Sequence, residues 1–136
     1  GGSRGIGAAC VRAFSEDGYS VVFLYNRSAE RAKALVDTLR AEGRDVAAYP
    51  CDVSDPVQVS ATLSVILRTY HRIDVLVNCA GIAHIGLFTD MTEAEWDRLF
   101  AVNVRSAFSV TKAVLWLPRQ FWSPTCGILH PFSRTL

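Results

Sequence analysis

Two hydrophobic periods alternate along most of the chain. Compact apolar runs rich in β-branched and aromatic residues predict buried strands at 19–26, 45–53 and 73–81. Apolar residues spaced three and four positions apart predict amphipathic helices at 5–18, 28–43, 54–71 and 92–117. Regular alternation of helices and strands is typical of the α/β class, so we expect one doubly wound parallel sheet with helices on both faces.

Local signals define the ends of several predicted helices. Ser28 is a candidate N-cap and Gly43 a stop signal for a helix whose apolar face is formed by Ala32, Leu35, Val36 and Leu39. Pro56 stands early in the next helix, where a missing N–H costs little. The last helix begins with a capping box, Thr92 and Glu95, and we expect its inner face to carry Trp96, Leu99, Phe100 and Val104.

Composition excludes several classes of protein. The 136 residues suffice for one domain, and a formal net charge of +1 gives no attraction to nucleic acid or to an anionic membrane. No apolar run approaches the roughly 20 residues of a membrane helix, and no signal-peptide pattern is present. Histidines and cysteines are scattered without metal-ligand spacing, which favours reduced thiols, no metal site and a cytoplasmic location.

The first seven residues, GGSRGIG, form the clearest chemical motif. A turn into a helix needs a residue free to adopt positive φ, which favours Gly1. Pyrophosphate must approach the backbone closely, which favours Gly5, and the helix must pack against the sheet, which favours Gly7. A phosphate would then lie at the helix N-terminus, although such a loop alone also fits an ordinary tight turn.

Three further stations follow this loop in order: CDVSD at 51–55, NCAG at 78–81 and NV at 103–104. With them the chain resembles the short-chain dehydrogenase/reductase family over residues 1–115, most closely its 3-oxoacyl-acyl-carrier-protein reductase branch. The resemblance implies a Rossmann-like fold and a nicotinamide cofactor. It also implies a place in fatty acid biosynthesis, a small-molecule or carrier-bound ketone substrate, and a tetrameric or dimeric intact enzyme.

The resemblance also implies roles for individual residues. The residues implied for pyrophosphate binding are Gly1, Ser3, Arg4, Gly5, Ile6 and Gly7. Asp52 and Val53 would contact the adenine, and the segment with Asn78, Ala80 and Gly81 would pass beneath the adenine ribose. Asn103 corresponds to the catalytic residue that holds a water in the proton relay. Cys79 departs from the usual Asn-Asn-Ala-Gly motif.

Each of these roles has a structural alternative. Asp52 could simply cap the turn before Pro56, and Asn78 with Gly81 could form only a turn at a strand end. Asn103 could serve only to satisfy backbone groups.

The charge after the first predicted strand bears on cofactor choice. NAD sites usually carry a carboxylate there for the ribose 2′-OH, but this chain has Asn26 and Arg27. Arg4 and Arg27 could pair with a 2′-phosphate, which favours NADP. The alternative is that Arg27 is a solvated residue at a helix start.

The reactive pair of the family is not found in this sequence. No tyrosine is followed four residues later by lysine, and Phe108 with Lys112 has the spacing but no phenol, so we expect Lys112 on the surface. Residues 1–117 form the predicted NADP-binding region, and 118–136 a divergent tail. A frameshift would explain the tail, with Tyr-x-x-x-Lys then encoded downstream. Within the tail, GILH resembles the start of the fifth strand, which makes Ser133 a weak candidate for the catalytic serine.

No strand candidate stands before Gly1, so we expect an incomplete sheet, without its first strand and its C-terminal part. In the 3-2-1-4-5 order of this fold the first strand is central, and its neighbours would then lie about 9–10 Å apart with unpaired edges. Two functions remain open at this point. One is an NADP-dependent ketone reductase of which this chain alone is inactive; the other is a non-catalytic nucleotide-binding or degenerate remnant.

Overall fold

A computed structural model describes residues 1–116 and the backbone of residues 122–129; Ser133 lies outside this range. The helices are α1 (Gly5–Glu16), α2 (Ala29–Ala41), α3 (Pro56–Tyr70), α4 (Glu93–Phe100) and α5 (Ser106–Leu115). The strands are β1 (Val21–Tyr25), β2 (Val46–Pro50), β3 (Ile73–Val77) and β4 (Trp122–Leu129). A 3₁₀ turn spans Phe88–Asp90, and a π-helical segment, Ala101–Arg105, joins α4 to α5. None of the described helices combines the length and apolar character needed to cross a bilayer.

The strands form two parallel pairs. β1 and β2 stay in register from Val21 opposite Val46 to Tyr25 opposite Pro50. β3 pairs with β4, with a register irregularity between Ile73 and Val75. Among the described residues β1 and β3 do not pair with each other, so the sheet consists of two separate two-stranded parts. The α/β class and parallel pairing are confirmed, and so is the lack of pairing between the two strands that should flank a central one.

The first half of the molecule, α1 to β2, has a closed core. Val11 of α1 and Phe23 of β1 meet the inner face of α2 and the start of β2 there. The inner face of α2 is the predicted set: Ala32, Leu35, Val36 and Leu39 are all buried. Ser28 stands at the N-cap as predicted, although its side chain makes no capping hydrogen bond.

The second half, α3 to β4, has a smaller core. Val59 and Leu63 of α3 pack with Val110 and Val114 of α5 against Cys51. Asp55 caps α3 by accepting hydrogen bonds from the N–H groups of Val57 and Gln58, which fixes the start of that helix.

The predicted inner face of the long last helix is wrong. The capping box of Thr92 and Glu95 is confirmed, but Trp96, Phe100 and Val104 are 44%, 45% and 57% exposed. The π-helical segment adds residues to one turn and so rotates the following face relative to the preceding one. The face that is buried instead is Ser106, Val110 and Val114. Lys112 is exposed as predicted and lies 5.6 Å above the ring of Phe108.

Candidate functional site

The glycine loop ends at the N-terminus of α1. Gly5 has φ of +54°, and a Cβ at Gly5 would meet open space. The N-cap residue Arg4 is extended, its side chain does not cap the helix, and the first turn carries no acidic residue. The first N–H groups of α1 therefore have neither a side-chain cap nor a nearby carboxylate, which is the arrangement that accepts a phosphate. The residues present thus fit a dinucleotide pyrophosphate.

Close backbone approach explains the other two glycines of the motif. A Cβ on Gly7 would lie 2.0 Å from the carbonyl oxygen of Gly1, so Gly7 packs against the loop rather than against the sheet as predicted. A Cβ on Gly1 would lie 2.6 Å from the backbone nitrogen of Ala80. The positive φ predicted for Gly1 is found at Gly5, whereas Gly1 must be small to fit against the 78–81 turn.

Ser3 and Ile6, which both belong to the glycine loop motif, differ in how far their side chains are exposed. Ser3 is partly buried, whereas Ile6 is 68% exposed beside the open N-terminus of α1. Arg4 and Arg27 are both exposed, and Arg27 lies in the bend between β1 and α2. Both guanidinium groups therefore stay in contact with solvent, at the edge where the loop and the end of β1 are exposed, and pay no desolvation cost.

Asp52 organises the segment after β2. Its Oδ1 accepts hydrogen bonds from the backbone N–H and the hydroxyl of Ser54, and its Oδ2 accepts one from Asn26 Nδ2 at 3.0 Å. The Ser54 bonds in particular lower the pKa of the Asp52 carboxyl. Asp52 thus caps its own turn, as the structural alternative expected, and also joins the ends of β1 and β2. Val53 is half-buried against the second core.

The 78–81 turn follows β3 and is attached to α5. Asn78 Nδ2 donates to the hydroxyl oxygen of Thr111 at 3.0 Å. Ala80 is partly buried and meets Gly1, as described above, while Gly81 is exposed. The turn is therefore anchored at one end to a helix and at the other to the glycine loop.

Asn103 lies in the π-helical segment and clamps the backbone of Ile82. Its Oδ1 accepts from Ile82 N–H and its Nδ2 donates to the Ile82 carbonyl, both at 2.8 Å. A Cβ on Gly81 would come within 3.6 Å of the same Asn103 Oδ1. The side chain thus does what the structural alternative expected, and a part in catalysis stays a prediction.

The structure brings most of the predicted residues together. Gly1 contacts the turn at 78–81, and this turn leads directly to the Asn103 clamp, so the three motifs form one continuous edge at the carboxyl ends of the strands. Sequence reasoning missed Thr111, because a threonine inside a helix carries no signal of a distant partner. It noted Asn26 only because Asn26 stands where NAD sites usually carry a carboxylate, whereas the structure shows that the Asn26 amide donates a hydrogen bond to Asp52.

These features define a Rossmann-like α/β protein with a glycine loop before its first helix. Comparisons with known proteins identify its family. The family model described as "short chain dehydrogenase" matches residues 1–120. The chain belongs to this family of oxidoreductases.

Individual relatives agree with this assignment. The chain is 36% identical over 121 residues to 3-oxoacyl-[acyl-carrier-protein] reductase FabG of Staphylococcus aureus (strain Mu50), covering 88% of this chain and 49% of the relative. It is 38% identical over 112 residues to versicolorin reductase 1 of Aspergillus parasiticus, covering 82% and 43%. The chain therefore spans about half the length of the curated relatives it matches.

Solved structures give the same picture. A short-chain dehydrogenase/reductase from Serratia marcescens superposes with a TM-score of 0.86 at 32% identity, over 96% of this chain and 51% of that one. A short chain dehydrogenase from Burkholderia cenocepacia in complex with NADP gives the same TM-score and coverage at 35% identity.

Proposed function

We propose that residues 1–117 are the nucleotide-binding region of an NADP-dependent reductase. The intact enzyme would reduce a 3-oxoacyl thioester, or a related ketone, to the secondary alcohol. The single observation that carries this proposal is the continuous edge formed by the glycine loop, the 78–81 turn and the Asn103 clamp. Support for the substrate comes from the name of the FabG relative, and support for the cofactor from the NADP complex of the Burkholderia protein.

Each part of the edge has a distinct task in this proposal. The N-terminus of α1 binds the pyrophosphate, with Gly5 leaving the space open. Asp52, held by Ser54 and Asn26, borders the adenine and keeps its carboxylate ionised because its pKa is lowered. The 78–81 turn passes beneath the ribose. NADPH, when bound, supplies the hydride; Asn103 fixes the backbone that borders the reacting end.

The preference for NADP rests on charge at the end of β1. The segment after β1 has Asn26 and the exposed Arg27 instead of a carboxylate, and the Asn26 amide donates a hydrogen bond to Asp52. A guanidinium pairs with a phosphate through two parallel hydrogen bonds, whereas it gains little from a ribose hydroxyl. We therefore expect NADPH to bind more tightly than NADH.

Paired titrations of the purified chain test this preference. Arg27→Ala should weaken NADPH binding about tenfold, roughly the 1.4 kcal/mol of one charge-assisted contact, and leave NADH binding unchanged. Arg31→Ala is the matched control, because Arg31 is also exposed and stands one turn further along α2. Equal affinities for the two nucleotides, or an equal loss with both variants, would overturn the role of Arg27.

The encoding DNA separates the two functions left open by the sequence, because both predict that the 136 residues alone do not turn over substrate. Without a Tyr-x-x-x-Lys pair, the 136 residues should bind NADPH but not oxidise it in the presence of an acetoacetyl thioester. An encoding DNA whose downstream frames contain this pair would support the reductase. Steady turnover by the 136 residues alone would refute the proposed division between this region and the catalytic groups.

A further inference from the structure

Strand β2 has an outer edge, which faces away from β1, its one partner in the part of the chain that the structure describes. Val21 N–H donates to the Asp45 carbonyl, and Cys51 N–H donates to the Tyr25 carbonyl, so the odd-numbered residues along β2 bond toward β1. In a parallel ladder the polar groups of the next residue point the opposite way. The outer edge therefore consists of the backbone groups of the even-numbered residues, Val46, Ala48 and Pro50.

Two residues close this edge at its two ends. Arg40, in the last turn of α2, donates from Nε to the Val46 carbonyl at 2.8 Å, and Val46 is fully buried although it lies on the outer edge. At the other end, Pro50 has no N–H to donate. Among the described residues, the N–H and the carbonyl of Ala48 have no hydrogen-bond partner on this edge. Ala48 is thus the middle of a short edge that is closed on both sides.

The positions of Arg40 and Pro50 match what a second copy of this chain would require of the edge. Two identical edges meet about a two-fold axis, which makes the two strands antiparallel. With the axis at Ala48, each Ala48 faces its own counterpart, and each Val46 faces Pro50 of the second copy. Facing residues in such a ladder exchange two N–H···O bonds, but proline can supply no donor. The carbonyl left without a donor is that of Val46, to which Arg40 already donates.

We propose that Arg40 and Pro50 together keep the outer edge of β2 closed to strand pairing with a second copy of this chain. The edge needs such protection because a groove of about 650 Å³ lies between α2 and the Ala48–Tyr49 part of β2 and leaves this part reachable. An incoming strand would have to displace Arg40 from the Val46 carbonyl and would give that carbonyl no donor in return. A buried carbonyl without a donor is costly, so the exchange is unfavourable.

A double variant of the full chain tests the proposal without reference to nucleotide binding. Arg40→Met removes the donor but keeps an unbranched side chain, and Pro50→Val restores the missing N–H. The parent, both single variants and the double variant are compared by sedimentation velocity and by amide hydrogen exchange over a range of protein concentrations. The double variant should form dimers, with exchange at Ala48 N–H at least tenfold slower at the highest concentration than at the lowest. In the parent and both single variants this rate should not depend on concentration.

Two matched variants separate the hydrogen bond of Arg40 from its charge. Arg40→Lys with Pro50→Val keeps a cationic donor beside the Val46 carbonyl. Arg31→Met with Pro50→Val removes the same charge from an exposed position of the same helix and leaves Arg40 in place. Both should behave like Pro50→Val alone. Dimers of either variant with the same protection at Ala48 as in the double variant would overturn the proposal.

Site-resolved exchange ties the result to this edge, even where the chain self-associates through another surface. Val21 N–H, already bonded to Asp45, is the internal control, and its exchange should not change with concentration. Arg40 and Pro50 are both exposed, and Arg40→Met with Pro50→Ala repeats the test with a smaller side chain that also restores the N–H. Protection of Ala48 that rises with concentration in the parent, or no such rise in either double variant, would show that the two residues do not close the edge.

Discussion

The two halves of the molecule differ in how completely they are closed. In the first half, β1 and β2 pair over five residues without interruption, and α2 buries four side chains. In the second half the β3–β4 register is irregular, every residue of β3 is only half-buried, and α4 buries none. The sequence predicted a buried strand at 73–81, but β3 borders a cavity of about 560 Å³ that lies between β1 and β3, so its residues are only half-buried.

This difference shows what an apolar pattern can specify on its own. The stripe on α2 and the strands it covers lie close in the chain, so local pairing completes their core. The cavity of about 560 Å³, lined by β1, β3 and three helices, lies between the two halves. In the second half, α3 and α5 bury their apolar faces, whereas β3, which borders this cavity, is only half-buried.

The largest expected effect comes from removing a leucine in each half. Leu39 is fully buried, so Leu39→Ala should lower the free energy of unfolding by about 3 kcal/mol. Leu63 is also buried but lines the cavity between β1 and β3, so Leu63→Ala enlarges an existing cavity and should cost about half as much. Urea titration of both variants measures the difference. Equal losses would contradict the contrast between a closed and an open half.

A substitution in the glycine loop should have the next largest effect. Gly7→Ala places a Cβ 2.0 Å from the Gly1 carbonyl, which is backbone and must move. We expect a loss of about 1–3 kcal/mol in stability, with NADPH binding weakened at least tenfold. Ala9→Ser, at an exposed position of the same helix, is the control for both urea and nucleotide titrations. Unchanged binding in Gly7→Ala would show that the loop does not need this contact.

The Asn103 clamp should contribute less to stability. Asn103→Ala removes both hydrogen bonds to Ile82 at a partly solvated site, at a cost of about 1 kcal/mol. Asn103→Asp is the sharper variant, because a carboxylate can accept from Ile82 N–H but cannot donate to the carbonyl. Exchange at Ile82 N–H should be fast in the alanine variant and intermediate in the aspartate variant. The same rate in all three proteins would rule out the clamp.

The smallest effect is a pH dependence at Asp52. The pKa of this carboxyl is lower in the folded state, so the group stabilises the fold above its unfolded pKa. That contribution is lost as the pH falls below about 4 and through the folded pKa. The difference in unfolding free energy between the parent and Asp52→Asn should therefore shrink in acid. Ser54→Ala, which removes one donor, should reduce the same dependence, and a difference that grows in acid would contradict it.

Local chemistry made much of the fold and part of the site predictable. Side-chain size, period and hydrogen-bonding capacity over a few neighbouring residues were enough to predict the buried face of α2 and the capping box of Thr92 and Glu95. The same holds for the order of the glycine, NCAG and Asn103 motifs. The exposure of Trp96 and Phe100 could not be predicted, because it depends on tertiary packing: no residue of α4 is buried, and burial begins only in α5.

By itself the sequence determined the alternation of elements, the parallel class and the identity of the family, since periodicity and motif order are properties of the chain. Only the tertiary structure decided that Gly7 packs on Gly1, that Asn103 holds Ile82 and that Asp52 is held by Asn26. The Asn103–Ile82 and Asp52–Asn26 contacts join residues far apart in the chain, and the close approach of two backbones at Gly7 and Gly1 leaves no trace in a hydrophobic pattern.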